Sequence, residues 1–227
     1  MTPRLIIFDC DGVLVDSEPI SVSVLRDTLA TAGEDMTEAK VYARFLGRSL
    51  GLVVQVMRDD YGLALTDTHL NDMRARLYDR FGAELCPIAG VGAATRAAGL
   101  PICVASFSQP ERIRLSPDLT GLLAMFDPHL YGASMVKHGK PAPDLFLHAA
   151  AAMGARPEDC VVIEDSPAGM AAARAAGMAC LAFTGDGHAV PGKLRAAAEE
   201  LAPDAIFDDM RALPGLITAL ADRDGAP

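Results

Sequence analysis

"LIIFDCDGVLVDSE", residues 5–18, sets four apolar residues directly against Asp9, Asp11, Asp16 and Glu18. A run that is apolar at every position suits a strand buried on both faces, and such strands belong to parallel sheets covered by helices. Open parallel sheets bind ligands outside the carboxyl ends of their strands, which is where these acids gather. Similar runs recur ahead of helical segments: "ICVA" at 102–105, "VVI" at 161–163, "CLAF" at 180–183 and "AIF" at 205–207. Together they predict an α/β fold, a doubly wound parallel sheet. Between 166 and 177 a helix is marked at both ends, by Ser166 as N-cap with Pro167 behind it and by Gly177 as the stop.

The stretch from the first strand to "ICVA" is too long for one crossover and carries four helical patterns. They run through Ile20, Val24 and Leu29; from Thr37; through Leu52, Val53 and Val56; and through Leu70, Met73, Leu77 and Phe81. The expected organisation is an α/β core from 1–16 and 85–227, with an inserted all-α helical domain at 17–84. The terminal "DRDGAP" should fray.

With 227 residues, 51% of them apolar, the chain can bury an ample core. Its net charge of −10 disfavours nucleic acid and acidic membrane, which bind through clustered Lys and Arg. No stretch reads as a signal peptide or membrane helix, so the expectation is a cytoplasmic protein, and without heptads a monomer. The five cysteines lack CxxC spacing and are expected to be buried packing residues. If the first strand ran on through residue 11, alternation would send Asp9 and Asp11 to one side and Cys10 to the other.

Reading the strand ends yields Asp9 and Asp11, then Ser106, then Glu164 with Asp165, while Lys140 precedes another helix in "KHGKPAPDLF". Unit charges about 4 Å apart repel by roughly 4 kcal/mol at an effective dielectric near 20, so clustered acids require a cation. Oxygen ligands without nearby His or Cys point to Mg²⁺. Ser106, beside a helix start, is placed to bind an anion. Ser108 and Glu111 read as a capping box. Lys140 stands out because the chain has only four lysines against sixteen arginines. "GVGAATRAAG" at 90–99 has Thr95 where a dinucleotide loop needs its third glycine. The five histidines have no metal-ligand spacing, and His188 is the one best placed to face a cleft.

"FDCDGVLVDSE", "ASFSQ", "GKPAPDLF" and "VVIEDSPAGM" resemble the four ordered motifs of the haloacid dehalogenase (HAD) superfamily, over essentially the whole chain. The helical insertion and its "RFLGRS" (44–49) resemble the cap of the branch that contains β-phosphoglucomutase, phosphoglycolate phosphatase and 6-phosphogluconate phosphatase. That resemblance implies a Rossmann-like core and a set of roles. Asp9 attacks phosphorus. Asp11 protonates the leaving group and then activates water, for which its pKa should stand above the ordinary carboxyl value of about 3.9. Asp9, the Asp11 carbonyl and Asp165 hold Mg²⁺, with Glu164 direct or through water. Ser106 and Lys140 bind phosphoryl oxygens.

Asp11 argues against a dehalogenase, whose leaving halide needs no proton. The related mutases carry a cap-hinge His near the position of Ser21, so a phosphatase of small phosphorylated metabolites, a sugar or sugar-acid phosphate, is expected over a mutase or a non-catalytic binding protein. Phe107 departs from the small or polar residue usual in that motif; its N–H can still bind phosphate, and its ring would narrow the pocket or stack in it. Arg44, Arg48 and Arg74 are candidate readers of the substrate's far end. Residues 16–18 are expected to cap the hinge helix.

Overall fold

In the computed structural model, which describes residues 2–185, 187 and 194–222, the opening apolar run is strand β1 (Leu5–Phe8), every side chain of it buried. Five more described strands lie parallel to it: β2 (Ile102–Ser106), β3 (Leu130–Gly132), β4 (Cys160–Glu164), β5 (Ala179–Phe183) and β6 (Ala205–Phe207), in the order β3-β2-β1-β4-β5-β6. Because β1 is central, both of its faces are covered. Ile6 and Phe8 join one apolar cluster with Val91 and Ile217, while Leu5 and Ile7 join another with Phe146 and Ala173. Each such side chain contributes roughly 1.5–3 kcal/mol relative to exposure.

Four described helices fill the segment expected to be the helical insertion, 17–84: α1 (Glu18–Ala32), α2 (Glu38–Phe45), α3 (Leu50–Tyr61) and α4 (Asp67–Glu84). Thr37, Ser49 and Thr66 cap the last three by accepting backbone N–H bonds on their hydroxyls, and Gly33 ends α1 in the left-handed conformation. Val22, Leu29, Val41, Phe45, Val53 and Met57 give these helices an apolar cluster of their own. Ile20, Val24, Leu77 and Phe81 belong instead to the sheet's cluster. Thus α1 and α4, the helices that leave and re-enter the core, are also the ones that pack on it.

The remaining helices cover the sheet: α5 (Val91–Ala98), α6 (Pro110–Leu119), α7 (Leu123–Phe126), α8 (Asp144–Ala152), α9 (Pro167–Ala175), α10 (Leu194–Leu201) and α11 (Leu213–Asp222). Ser166 caps α9 by accepting from the Gly169 N–H at 3.0 Å, as its sequence position predicts. Strand β3 is an addition to the sequence reading. It is only three residues long, two of them half-buried, so it offers no apolar run to detect. No described helix is long and apolar enough to cross a membrane. The tail 223–227 and His188 lie outside the described residues.

Candidate active site

Three adjacent strands, β2, β1 and β4, present Ser106, Asp9 and Glu164 at their carboxyl ends, where the strand order reverses. An open parallel sheet splays apart at such a point and leaves a crevice. Strand β1 stops at Phe8, so the ladder does not run through Asp11. The Asp9 N–H still donates to the Ile163 carbonyl at 3.0 Å, which fixes Asp9 beside the end of β4. Freed from strand alternation, Asp9 and Asp11 take different partners.

Asp9, Glu164 and Asp165 are buried, and one oxygen from each lies within 4.8 Å of the others. Lys140 reaches into this group from the loop ahead of α8. Its Nζ donates to Asp9 Oδ1 at 2.7 Å and to Glu164 Oε1 at 2.5 Å, and lies 4.8 Å from the Phe146 ring centroid. Burial disfavours the ammonium, yet Asp9 and Glu164 together hold its pKa above the ordinary lysine value. Burial, opposed by Lys140 and reinforced by Glu164 and Asp11, pushes the Asp9 carboxyl up to about 7. The buried, closely grouped all-oxygen donor set fits a divalent metal ion.

Glu164 is more committed than the sequence implies. Its Oε2 accepts the N–H groups of Asp165 and Ser166, at 3.0 and 2.9 Å, and the Ser166 hydroxyl at 3.0 Å, while Oε1 holds Lys140. The carboxylate organises the β4–α9 turn as well as the cation. Gly169 leaves room for it: a Cβ there would stand 1.8 Å from Glu164 Oε1. That requirement is what the glycine of "SPAGM" supplies.

Asp11 departs furthest from expectation. Its Oδ1 accepts the Ser17 hydroxyl at 2.6 Å and Arg112 Nη2 at 2.7 Å, and its Oδ2 accepts the Ser108 hydroxyl at 2.6 Å. Burial raises its pKa, but Arg112 and the two hydroxyls outweigh burial and bring it below the ordinary carboxyl value. The expected elevation is therefore reversed in this arrangement. Its carboxylate also stands outside the three-acid group, which leaves only its carbonyl as the metal-facing atom of the sequence reading.

Two capping assignments change for the same reason. The N-cap of α6 is Gln109, and Ser108 spends its hydroxyl on Asp11 instead of on a capping box with Glu111. Ser17 occupies the N-cap of α1 without a side-chain capping bond, its hydroxyl likewise given to Asp11. Asp16 accepts the Gly187 N–H at 3.2 Å. Arg112 is a site residue the sequence does not single out; it is one of sixteen arginines and lies in the first turn of α6, not at a strand end.

Ser106 is buried at the end of β2, and its Oγ accepts the Ser108 N–H at 3.3 Å. The Phe107 ring is 41% exposed and lies on Gly139, next to Lys140; a Cβ on Gly139 would fall 1.6 Å from Phe107 Cε2. Across the mouth, a Cβ on Gly47 would sit 3.9 Å from that of Ser166, so the loop of "RFLGRS" touches the core beside the acids. Arg48, next in that loop, is exposed and has no ion pair among the described residues. Arg44 instead pairs with Asp60 and lies 5.3 Å from the Tyr61 ring centroid, while Arg74 is exposed on α4. Four cysteines are buried as expected, but Cys86 is exposed. Cys10 joins the apolar cluster, its thiol pKa raised by burial and by the two aspartates.

The structure is thus a parallel α/β protein with buried acids and a lysine gathered in the crevice at its switch point. A family model of haloacid dehalogenase-like hydrolases matches residues 3–177, and the chain belongs to that family. It is 32% identical over 187 residues to the 6-phosphogluconate phosphatase of Escherichia coli (strain K12), covering 82% of this chain and 85% of that one. It is also 32% identical over 179 residues to the fructose-1-phosphate phosphatase YqaB of the same organism, covering 76% and 92%. Among solved structures, a conserved haloacid dehalogenase-like protein of unknown function from Agrobacterium tumefaciens str. C58 superposes with a TM-score of 0.84 at 34% identity, covering 96% and 99%. The protein is a phosphoric monoester hydrolase of the haloacid dehalogenase type.

Proposed function

We propose that this enzyme is a Mg²⁺-dependent phosphatase that hydrolyses a small sugar or sugar-acid phosphate through an aspartyl-phosphate on Asp9. The observation that carries the reading is the buried group of Asp9, Glu164 and Asp165 around Lys140, with Asp11 held separately by its own donors. Mg²⁺ would be held by Asp9, Asp165 and the Asp11 carbonyl; Glu164, occupied by Lys140 and the β4–α9 turn, acts behind them. When bound, the ion offsets carboxylate and phosphoryl charge and favours the ionised form of Asp9. Similarity to enzymes named for 6-phosphogluconate and fructose 1-phosphate supports the substrate class.

The roles follow. A carboxylate oxygen of Asp9 attacks phosphorus as the bond to the leaving oxygen breaks, and Asp11 gives that oxygen its proton. Arg112, Ser17 and Ser108 favour the Asp11 carboxylate, whereas an entering phosphoryl dianion adds negative charge beside it and favours the acid form. Water then attacks the aspartyl-phosphate, passes a proton to Asp11 and releases Asp9. Ser106, the Phe107 N–H and Lys140 bind the phosphoryl oxygens. Residues 17–84 act as a cap over the core, with Arg48 facing the substrate and the Phe107 ring forming part of its wall. Arg44 and Arg74 are weaker candidates, the first being tied to Asp60. A cytoplasmic monomer that avoids nucleic acid and membranes is consistent with the net charge of −10.

The test is phosphate release from a panel of phosphorylated metabolites with Mg²⁺, led by 6-phosphogluconate and fructose 1-phosphate, with kcat/KM measured for each. Stoichiometric phosphate is expected. An isomerised sugar phosphate without phosphate release would make the enzyme a mutase.

The raised Asp9 pKa has a further consequence for the metal-free protein. Between 3.8, the ordinary value, and about 7, the folded form binds more protons at Asp9 than the unfolded form. Its contribution to stability is thus present below this window and lost as pH rises through it. Thermal unfolding in chelator should show Tm falling from pH 5 to pH 7.5, with Mg²⁺ restoring most of the loss at the upper end. A metal-free Tm that rises across that interval would refute the charge assignment.

A further inference from the structure

Among the described arginines, Arg112 is the one that binds Asp11. Its Nη2 lies 2.7 Å from Asp11 Oδ1, 3.4 Å from Ser17 Oγ and 3.2 Å from Ser21 Oγ, and its guanidinium carbon stands 5.0 Å from the Phe81 ring centroid. Ser17 precedes α1, Ser21 lies in its first turn and Phe81 in the last turn of α4. One core side chain, on α6, therefore meets Asp11 and both helices that join the inserted segment to the core. The Arg112 Nε is buried without a hydrogen-bond partner among the described residues, so its hydrogen bonds hold the group through Nη2.

We propose that Arg112 is the positioning residue for Asp11. It fixes the carboxylate at the seam between the core and α1, on the side where the inserted segment must enclose the leaving group, and it ties that orientation to the two connecting helices. Ser17 and Ser108 also donate to Asp11, but each does so through a single hydroxyl. The planar guanidinium has the reach and rigidity to link Asp11 to Ser21 and the face of Phe81. Ser21 matters through its hydroxyl, which accepts from Arg112 Nη2 at 3.2 Å and so ties the guanidinium to the first turn of α1.

The proposal rests on the acid/base role given to Asp11 above, and the experiment separates the two. Two esters are compared by kcat/KM, which reports only the steps up to departure of the alcohol. One is p-nitrophenyl phosphate, whose leaving group departs without a proton. The other is 6-phosphogluconate or, if another sugar phosphate is turned over faster, that ester; its alkoxide needs a proton.

Asp11→Asn should lose about 10²–10⁴-fold on the sugar phosphate and far less on the aryl ester. Arg112→Gln should lose on the order of 100-fold on the sugar phosphate and no more than about threefold on the aryl ester, because misplacing a catalytic group by about 1 Å costs that much. Ser21→Ala, a small surface-side change that leaves Asp11 and its other donors in place, should lose about three- to tenfold with the same selectivity.

If Asp11→Asn shows the selectivity and Arg112→Gln does not, the positioning role is wrong and the Asp11 assignment stands. If Asp11→Asn lacks it, both fall. Should Arg112→Gln fail to fold, Ser21→Ala decides: equal losses on the two esters, or none, overturn the proposal.

Discussion

Asp9→Asn should abolish turnover while leaving the fold intact, with kcat lower by roughly 10⁵-fold or more, as for loss of a covalent nucleophile elsewhere. An amide neither ionises nor forms the acyl-phosphate, so no second route to the product passes through position 9. Stability should move the other way. Asp9 is buried with Glu164 and Asp165, and burial, reinforced by Glu164 and Asp11 against the pull of Lys140, pushes its carboxyl up to about 7. Asn removes that charge and keeps an oxygen for the Lys140 bond. Phosphate release and thermal unfolding on the same preparation give both readings. Turnover above a hundredth of wild type would exclude Asp9 as the nucleophile.

Lys140→Ala should damage both properties. The ammonium is buried between Asp9 and Glu164, with a side-chain exposure of 6%. Its removal leaves an uncompensated buried acid cluster, at a cost of about 3–5 kcal/mol. For a chain of this size that is a fall in Tm of roughly 6–20 °C. It also removes a fixed positive charge from the phosphoryl site, worth about 10²–10³ in kcat. Mg²⁺ should recover part of the lost stability by occupying the same negative field, but not the rate. A stable, active Lys140→Ala would show that the ion pairs are incidental to the site.

How much of the site was legible depended on where its parts lie relative to strand ends. Asp9, Ser106, Glu164 and Asp165 each follow an apolar run, and in a parallel sheet the end of a run is a position in space, so reading the runs found them. Lys140 follows no strand; its rarity and its "GKPAPD" context marked it. Arg112 had neither signal, because a helix places one of its residues over a neighbouring loop only once the crossing of that helix is known. Ser17 and Ser108 look like helix caps in the sequence for a related reason. A serine before a helix is usually a cap, and the local pattern carries no trace of a carboxylate from another segment competing for the same hydroxyl.

The pKa of Asp11 shows the limit most sharply. Counting acids along "FDCDG" predicts that neighbours raise it, whereas Arg112 and two hydroxyls, brought from residues 112, 17 and 108, lower it. Likewise Arg44 looks available in sequence and is tied to Asp60 and Tyr61 in the fold. The short edge strand β3 carries no apolar run in the sequence, because two of its three residues are only half-buried and the third is glycine.

The sequence by itself determined the sheet, the helical insertion and the identity of the acids, since burial on both faces, helical periodicity and strand termination are local properties that composition must encode. Only the tertiary structure decided how those acids divide. It grouped Asp9 with Glu164, Asp165 and Lys140, and turned Asp11 away to Arg112 and the helices of the insertion. Charge–charge and hydrogen-bond energies depend on distances between side chains far apart in the chain, and those distances exist only once the fold is complete.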